Sequence, residues 1–327
     1  MKNKKVYYKC EHTDEDVKKN SSSGGAFTAI SDYIITEKFG VVYGCVLNEK
    51  FDAVHIRTED KQGRNLMRGS KYIESHTENV YDSVKDDLSS KRYVLFSGTP
   101  CQISALNKYL ELYKINTDNL LTVEVICHGV GSNRFFKDHI KYLENKYKGE
   151  AVSCSFRRKK YPGQKQDMEV KFNNGKQYNS VSTKYDWFYS VYLKNLILRP
   201  SCYHCAFACD ERFADISIAD FWKKNCYNDY SLLIVNTQKG DSIFKEICSC
   251  LNFAEVNESE VHQPHMHHPC EEPKKRKEFW EVYFKYGYLG VQKWMGNTTF
   301  KTKIIVFLVT IARKTNIINL LRSVRSK

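Results

Sequence analysis

The sequence predicts an α/β protein: a mixed, largely parallel sheet flanked by helices, with an antiparallel β insertion and a helical C-terminal tail. Three observations predict it. Between residues 93 and 146, apolar runs of strand length alternate with segments of helical period, the pattern of parallel strands joined by right-handed crossovers. Between 151 and 175, two strand-like runs accompany Asn173-Asn-Gly175, a turn signal. Near the end, apolar residues recur at helical spacing among lysines and arginines.

The elements follow in order. Residues 1–20 read as an entry strand and a polar linker. Ser21-Ser-Ser-Gly-Gly25 precedes a helix over Ala26–Ile35, and Gly40 is its expected stop. Val41–Val46 reads as a buried strand with Ala53–Arg57 as its partner. Tyr81–Leu88 reads as a helix, Tyr93–Phe96 as a strand, Ser97–Pro100 as a turn, and Cys101–Tyr109 as a helix started by Pro100. Leu121–Ile126 is the next strand, running into Cys127-His-Gly129, and Asn133–Lys146 the next helix. Val152–Phe156 and Met168–Phe172 are the strands of the insertion. Asp186–Ile197 reads as a helix, Arg199–Cys205 as a loop, and Asp215–Asp220 and Ser231–Val235 as strands. Residues 257–277 read as a polar linker bearing histidines and prolines. The expected domains are 1–256, with the insertion at about 151–185, then a linker and helical segment over 257–300, then a basic amphipathic tail over 301–327.

Composition narrows the class. Of 327 residues, 42% are hydrophobic and 27% charged, enough for a sizeable core and against wholesale disorder. The net charge of +13 is concentrated at the end. From Pro273 onward there are 13 lysines and arginines against two acids, so the first 272 residues carry only +2. That argues for one local basic surface rather than a nucleic-acid-binding body, and no nucleic-acid motif accompanies it. Met1-Lys-Asn-Lys-Lys-Val opens without the apolar stretch of a signal peptide, and Ile304–Val309, the longest apolar run, is too short to span a membrane. The expected location is the cytoplasm. There the 12 cysteines would be buried apolar groups, metal ligands or reactive thiols rather than disulfides.

Cys202-x-x-Cys205 puts two thiols on one turn, a spacing suited to sharing a metal centre, and Cys209 adds a third. Cys101 stands where a strand turns into a helix and Cys127 at the end of the next strand. In a parallel sheet both lie at the carboxyl edge, where such folds bind ligands. Zinc, an iron–sulfur cluster and simple burial all remain open on spacing alone. Cys10, Cys45, Cys154, Cys226, Cys248, Cys250 and Cys270 read as small packed hydrophobes, and Cys248-x-Cys250, placed on a helix, diverges too far to share a metal. Ser22-Ser23-Gly24-Gly25 is either an anion-binding helix start or an ordinary N-cap. Ser97-Gly98-Thr99-Pro100 is a second loop of this kind on the same edge. In Arg68–Tyr72, Lys71 is placed to neutralise a phosphate and Tyr72 to flank a ring, or the segment is a solvated loop. No G-x-G-x-x-G occurs. His128 is either a proton carrier beside a redox cofactor or a hydrogen-bonded histidine. His262, His265, His267, His268 and Cys270 have ligand chemistry but sit in the polar linker, which argues against a metal site. In the tail, Ile304, Phe307, Leu308, Ile311, Ile318 and Leu321 share a face surrounded by Lys301, Lys303, Arg313, Lys314, Arg322 and Arg325. That helix either lies on an anionic membrane or docks on protein.

Seven ordered motifs carry a resemblance: Ser21-Ser-Ser-Gly-Gly-Ala-Phe27, Gly40-Val-Val-Tyr-Gly44, Arg68-Gly-Ser-Lys-Tyr-Ile73, Leu95-Phe-Ser-Gly-Thr-Pro-Cys-Gln-Ile103, Ile126-Cys-His-Gly-Val130, Leu198-Arg-Pro-Ser-Cys-Tyr-His-Cys205 and Asp215-Ile-Ser-Ile-Ala-Asp-Phe-Trp222. Over roughly residues 5–290 the chain resembles the coenzyme F420 hydrogenase/dehydrogenase beta-subunit family, as a short bacterial member. The resemblance implies a 4Fe-4S cluster and FAD passing electrons between a partner redox protein and a small-molecule substrate. It implies Cys101, Cys127, Cys202 and Cys205 as cluster ligands. For the flavin it implies Ser22, Ser23, Gly24, Gly25, Gly69, Ser70, Lys71, Tyr72, Ser97, Gly98, Thr99, Pro100 and Asp220. Only Cys10 precedes the serine loop, whereas many relatives carry two cysteine-rich motifs there. The resemblance therefore implies a separate ferredoxin-like electron-transfer protein. Ala219 stands where the family has glycine, and Cys209 has no counterpart. The competing expectation is a non-catalytic, zinc-stabilised scaffold whose tail binds a membrane surface or nucleic acid.

Overall fold

The computed structural model describes residues 5–77, 79–159, 167–180, 186–222 and 230–296, together with 304, 308 and 311. In chain order the elements are β1 (Val6–His12), α1 (Glu15–Lys19), α2 (Ala26–Thr36), β2 (Val41–Leu47), β3 (Ala53–Thr58), α3 (Lys61–Met67), β4 (Ser75–His76), α4 (Val80–Ser89), β5 (Val94–Gly98), α5 (Pro100–Leu112), β6 (Leu120–Val125), α6 (Asn133–Tyr147), β7 (Ala151–Arg158), β8 (Asp167–Phe172), β9 (Gln177–Asn179), α7 (Trp187–Tyr192), β10 (Ile216–Asp220), β11 (Ser231–Val235), α8 (Gln238–Ile247), β12 (Leu251–Val256) and α9 (Arg276–Trp294). The chain divides into two units, Met1–Val130 with Pro200–Cys270, and Gly131–Arg199 with Glu271–Lys327.

The first unit holds a nine-stranded sheet in the order β12-β1-β11-β10-β6-β5-β2-β3-β4 among the described residues. Its centre is parallel: β2 pairs with β5, β5 with β6 and β6 with β10, while β11 runs against both β10 and β1. The strand period of two sends alternate side chains to opposite faces. Leu95, Leu121, Val123, Ile216, Leu233 and Cys10 pack on one face under α2, α3 and α8. Val94, Phe96 and Leu120 pack on the other with α4 and α5, and Leu232 and Ile234 with Val261 and Met266. Burial on both faces explains why these strands read as continuous apolar runs.

The second unit carries the three-stranded antiparallel sheet β7-β8-β9, joined at Asn173–Gly175, where Gly175 takes φ 77° and its N–H bonds to the Phe172 carbonyl at 3.0 Å. On α6, Phe135, Phe136, His139, Ile140 and Leu143 form a helical stripe facing an aromatic core that includes Phe156, Phe188, Phe279 and Tyr288.

Several expectations are corrected. The helix over Asp186–Ile197 stops at Tyr192, because Asn195 adopts a left-handed conformation and Leu196 N–H bonds back to the Val191 carbonyl. Phe39 at φ 49°, not Gly40, closes α2; Gly40 is needed because a Cβ there would lie 2.7 Å from the Tyr93 carbonyl. The Arg199–Cys205 loop contains a 3-10 turn, Pro200–His204. Cys248–Cys250 is a 3-10 turn after α8, not part of a longer helix. Residues 257–277 are no loose linker: Val261 and Met266 are buried against the sheet, with a 3-10 turn over Pro264–Met266. Helices α1, α3 and α8 have no counterpart in the sequence reading. Cys226 lies outside the described residues, as does the tail apart from Ile304, Leu308 and Ile311, which are helical and exposed.

Candidate functional site

The parallel strands bring their carboxyl ends to one edge of the first unit. Gly98 and Glu124 are partners in the β5–β6 register, so Cys101 and Cys127 each stand three residues beyond a paired position. Cys101 is in the first turn of α5, after the N-cap Thr99 and Pro100 at the first helical position. The Thr99 hydroxyl lies 3.1 Å from the Cys101 sulfur. Cys202 is within the Pro200–His204 turn and Cys205 directly follows it. Burial pushes the Cys127 thiol far above its ordinary range, and Cys101, Cys202 and Cys205 lie close enough to push it further. The Gly129 N–H, donating to the Cys127 sulfur, opposes them. A buried thiol that resists ionisation beside three others needs a cation to hold it as a thiolate, and a set of four sulfur donors is chemically suited to one. Cys209 sits apart in its bonding, its sulfur donating to the Glu211 carbonyl at 3.7 Å.

Arg212 anchors this cysteine-bearing loop. Its guanidinium reaches Glu124 at 3.2 Å, the Cys209 carbonyl, and the Met266 carbonyl at 3.4 Å. Both Arg212 and Glu124 are withdrawn from water. Glu124 also accepts from the Ser217 hydroxyl at 2.6 Å and the Phe213 N–H at 3.4 Å.

Beside the thiols, His128 Nδ1 lies 2.9 Å from His265 Nε2, and the Cys270 sulfur donates to the His128 carbonyl at 2.8 Å. His265 is pushed down to about 4 by burial, helped by His128. Cys270 is therefore not merely packed as a small hydrophobe. Of the other linker histidines, His267 pairs with Asp210 at 2.5 Å.

Of the segments assigned to a flavin, the serine loop, Ser70 and the end of β10 meet one another. The Ser22 hydroxyl accepts from the Ser70 N–H at 2.9 Å, joining two segments 48 residues apart. The Ser23 hydroxyl is 2.8 Å from that of Ser231, which also accepts from Gly24 N–H at 2.9 Å. Ser231 is the register partner of Asp220, so the serine loop, Ser70 and the end of β10 form one rim. Two glycines differ in meaning. A Cβ on Gly24 would lie 2.3 Å from the Cys10 carbonyl and 2.6 Å from Ser231 N, so its smallness serves strand packing. Gly69 is exposed, with nothing within 4 Å of where a Cβ would stand, and glycine there serves the left-handed φ of 84°. The Lys71 ammonium is bonded to the carbonyls of Leu66, Met67 and Arg68, capping α3, and burial lowers its pKa to about 8.

The family model for the C terminus of the coenzyme F420 hydrogenase/dehydrogenase beta subunit matches residues 91–259, more than half of the chain. The chain belongs to this family. The match contains Cys101, Cys127, Cys202, Cys205 and Asp220, whereas the serine loop, Gly69–Tyr72, His265 and Cys270 lie outside it. Among solved structures, the chain is similar to a chain of the xenon-derivatised F420-reducing NiFe hydrogenase complex from Methanosarcina barkeri. The TM-score is 0.53 at 17% identity, covering 89% of this chain and 90% of that one. At that identity the likeness supports the family's mixed α/β fold. No curated protein matches the chain.

Sequence reasoning missed Glu124, Arg212 and Ser231. It named His265 and Cys270 for their ligand chemistry but set them in a linker; the pair gains meaning when His128 is brought alongside. Among the described residues no helix is long and apolar enough to cross a membrane.

One pH dependence follows from this edge. His55 is buried, its Nε2 3.1 Å from the Ser97 carbonyl, and burial lowers its pKa from 6.5 to about 4. A histidine depressed in the folded state contributes stability that is complete above pH 6.5 and is lost as pH falls towards 4. The loss is about 3 kcal/mol. Denaturant titrations from pH 7 to 4 should show His55→Gln losing less stability on acidification than wild type by about that amount. Parallel pH profiles would refute this.

Proposed function

We propose that this chain is an iron–sulfur flavoprotein subunit that passes electrons between a partner redox protein and a small-molecule substrate. The observation that carries the reading is the convergence of Cys101, Cys127, Cys202 and Cys205, from three separate segments, at the carboxyl edge of the sheet. A tetrahedral zinc holds its sulfurs at about 2.3 Å, so their separations are about 4 Å. Among the described residues the set of ligand atoms packed within 4.8 Å is His128, His265 and Cys270 rather than the four thiols. Family membership favours redox chemistry over a zinc scaffold.

Cys101, Cys127, Cys202 and Cys205 would hold a 4Fe-4S cluster. Ser22–Gly25, Gly69–Tyr72, Ser97–Pro100 and Asp220 would hold FAD, and the hydrogen bond from Ser70 N–H to the Ser22 hydroxyl, which joins the first two segments, supports this. Bound there, the pair supplies one-electron relay and two-electron exchange with substrate. The chain's own contribution is position and field. The Gly129 N–H donates to the Cys127 sulfur, and such bonds tune a cluster's potential. Arg212 fixes the loop after Cys205, and His128, next to Cys127, is placed to hold or move a proton. The similar solved structure is a hydrogenase complex, which supports a redox partner protein; that this partner is ferredoxin-like is part of the proposal. A cytoplasmic location, with the basic tail against an anionic membrane surface, belongs to the same reading.

Anaerobic purification tests it. The expected preparation is brown, with iron and acid-labile sulfide in equal amounts and releasable FAD. Colourless protein retaining zinc on four sulfurs would replace the redox reading with the scaffold.

A further inference from the structure

Outside the four-thiol set, three donors from two segments of the first unit, 137 residues apart, point at one another. His128 Nδ1 and His265 Nε2 are 2.9 Å apart, the Cys270 sulfur is 3.8 and 3.9 Å from the two ring nitrogens of His265, and one ligand atom from each residue lies within 4.8 Å of the others. Nitrogen at about 2.0 Å and sulfur at about 2.3 Å from a tetrahedral ion stand roughly 3.3–3.7 Å apart. The His128–His265 and His265–Cys270 separations lie within a few tenths of an ångström of that geometry, and the His128 and Cys270 ligand atoms lie within 4.8 Å of each other.

The donors are also held in place. His128 follows β6 and precedes Gly129, whose φ of 126° turns the chain. His265 sits inside the Pro264–Met266 turn, which is pinned on both sides. Gln263 donates to the Asp220 carbonyl at 2.5 Å, and Arg212 donates to the Met266 carbonyl. Cys270 is buried. Preorganisation of this kind lowers the cost of binding an ion.

We propose that His128, His265 and Cys270 form a mononuclear site for a zinc-class divalent cation, separate from the four-thiol centre and bordering it. One thiolate and two imidazoles select zinc-like ions over magnesium or calcium, which take oxygen ligands. Three protein donors leave the fourth tetrahedral position to water or to an anionic group of a substrate, the arrangement of catalytic rather than structural zinc. Cys270 is electrically coupled to Cys202 and Cys205, so an ion here lies within the electrostatic reach of the four thiols. The competing account is a metal-free hydrogen-bonded trio.

The test uses the full chain, purified anaerobically, exposed to zinc and freed of excess. The expected result is one zinc per chain in addition to iron, with zinc-edge X-ray absorption reading one sulfur and two imidazole nitrogens. Loss of a metal-orienting partner alone costs 10- to 100-fold in affinity, so His265→Ala and Cys270→Ser should each weaken zinc binding by more than about 10-fold while leaving iron content intact. Failure of wild-type protein to retain zinc overturns the site without needing any variant to fold. Zinc bound by four sulfurs overturns it too, and separately overturns the cluster reading. Iron lost together with zinc in His265→Ala would mean the trio only supports the four-thiol centre.

Discussion

Cys127→Ser is expected to remove most of the iron from the protein, leaving less than about a tenth of the wild-type content. Four thiolates are the whole protein contribution to a cluster of this type, and a hydroxyl does not replace one at neutral pH. Cys127 is the most telling position, because its sulfur feels the other three and accepts from the Gly129 N–H. Cys101→Ser should behave in the same way, although Cys101 is exposed, because it supplies the ligand from the start of α5. Two controls separate ligand loss from general damage. Cys209 makes a local bond to the Glu211 carbonyl and Cys154 lies on β7 in the other unit, so serine at either should leave iron unchanged. Iron and sulfide per chain, measured beside far-ultraviolet circular dichroism, decide it. Wild-type iron in folded Cys127→Ser would end the four-thiol account.

The strands of the sheet were legible because both faces are buried. Val94–Phe96 and Leu120–Val123 have no exposed side to carry polar residues, so apolar runs marked them plainly. The antiparallel insertion was legible from Asn173-Asn-Gly175, where the turn itself demands a left-handed glycine. Positions after the strands followed from topology, which is how Cys101 and Cys127 could be placed on one edge before their sulfurs were located. The helix α3 was not legible: it is short, and it buries Arg64, whose guanidinium is held by Asp32, Ser31 and the Thr28 carbonyl. A charged residue in a core reads as solvent-facing when its partner is 32 residues away. The His265–Cys270 segment failed for a related reason. Its polarity suggested a linker, but Val261 and Met266 turn inward onto Leu232 and Ile234, and that packing helps carry His265 to His128. Local sequence reports the period of an element and the chemistry of a residue. It does not report which distant polar group will satisfy that residue once it is buried.

Glu124→Ala is expected to destabilise the first unit by about 3–5 kcal/mol, because it leaves the buried Arg212 guanidinium without its counter-charge. Two further donors lose their acceptor, the Ser217 hydroxyl and the Phe213 N–H. Arg212→Ala should cost less. A guanidinium keeps its proton at any ordinary pH, whereas the Glu124 carboxyl, already raised by burial, can take one up and still accept from Ser217 and Phe213. Removing both should cost less than the sum of the single changes, since neither charge is then stranded. The consequence reaches the site, because Arg212 ties the end of β6 to the Cys209 and Met266 carbonyls. Freed of Glu124, that clamp no longer fixes the loop carrying Cys202 and Cys205 against the strand leading to Cys127. Iron retention should therefore fall in Glu124→Ala even where the protein remains folded. Denaturant unfolding of the two single variants and the double variant supplies the energies, and iron per chain supplies the link to the thiols. A Glu124→Ala protein within about 1 kcal/mol of wild type would show that Arg212 finds water or another partner on its own. The buried pair would then be a passenger of the fold rather than the element that holds the four thiols together.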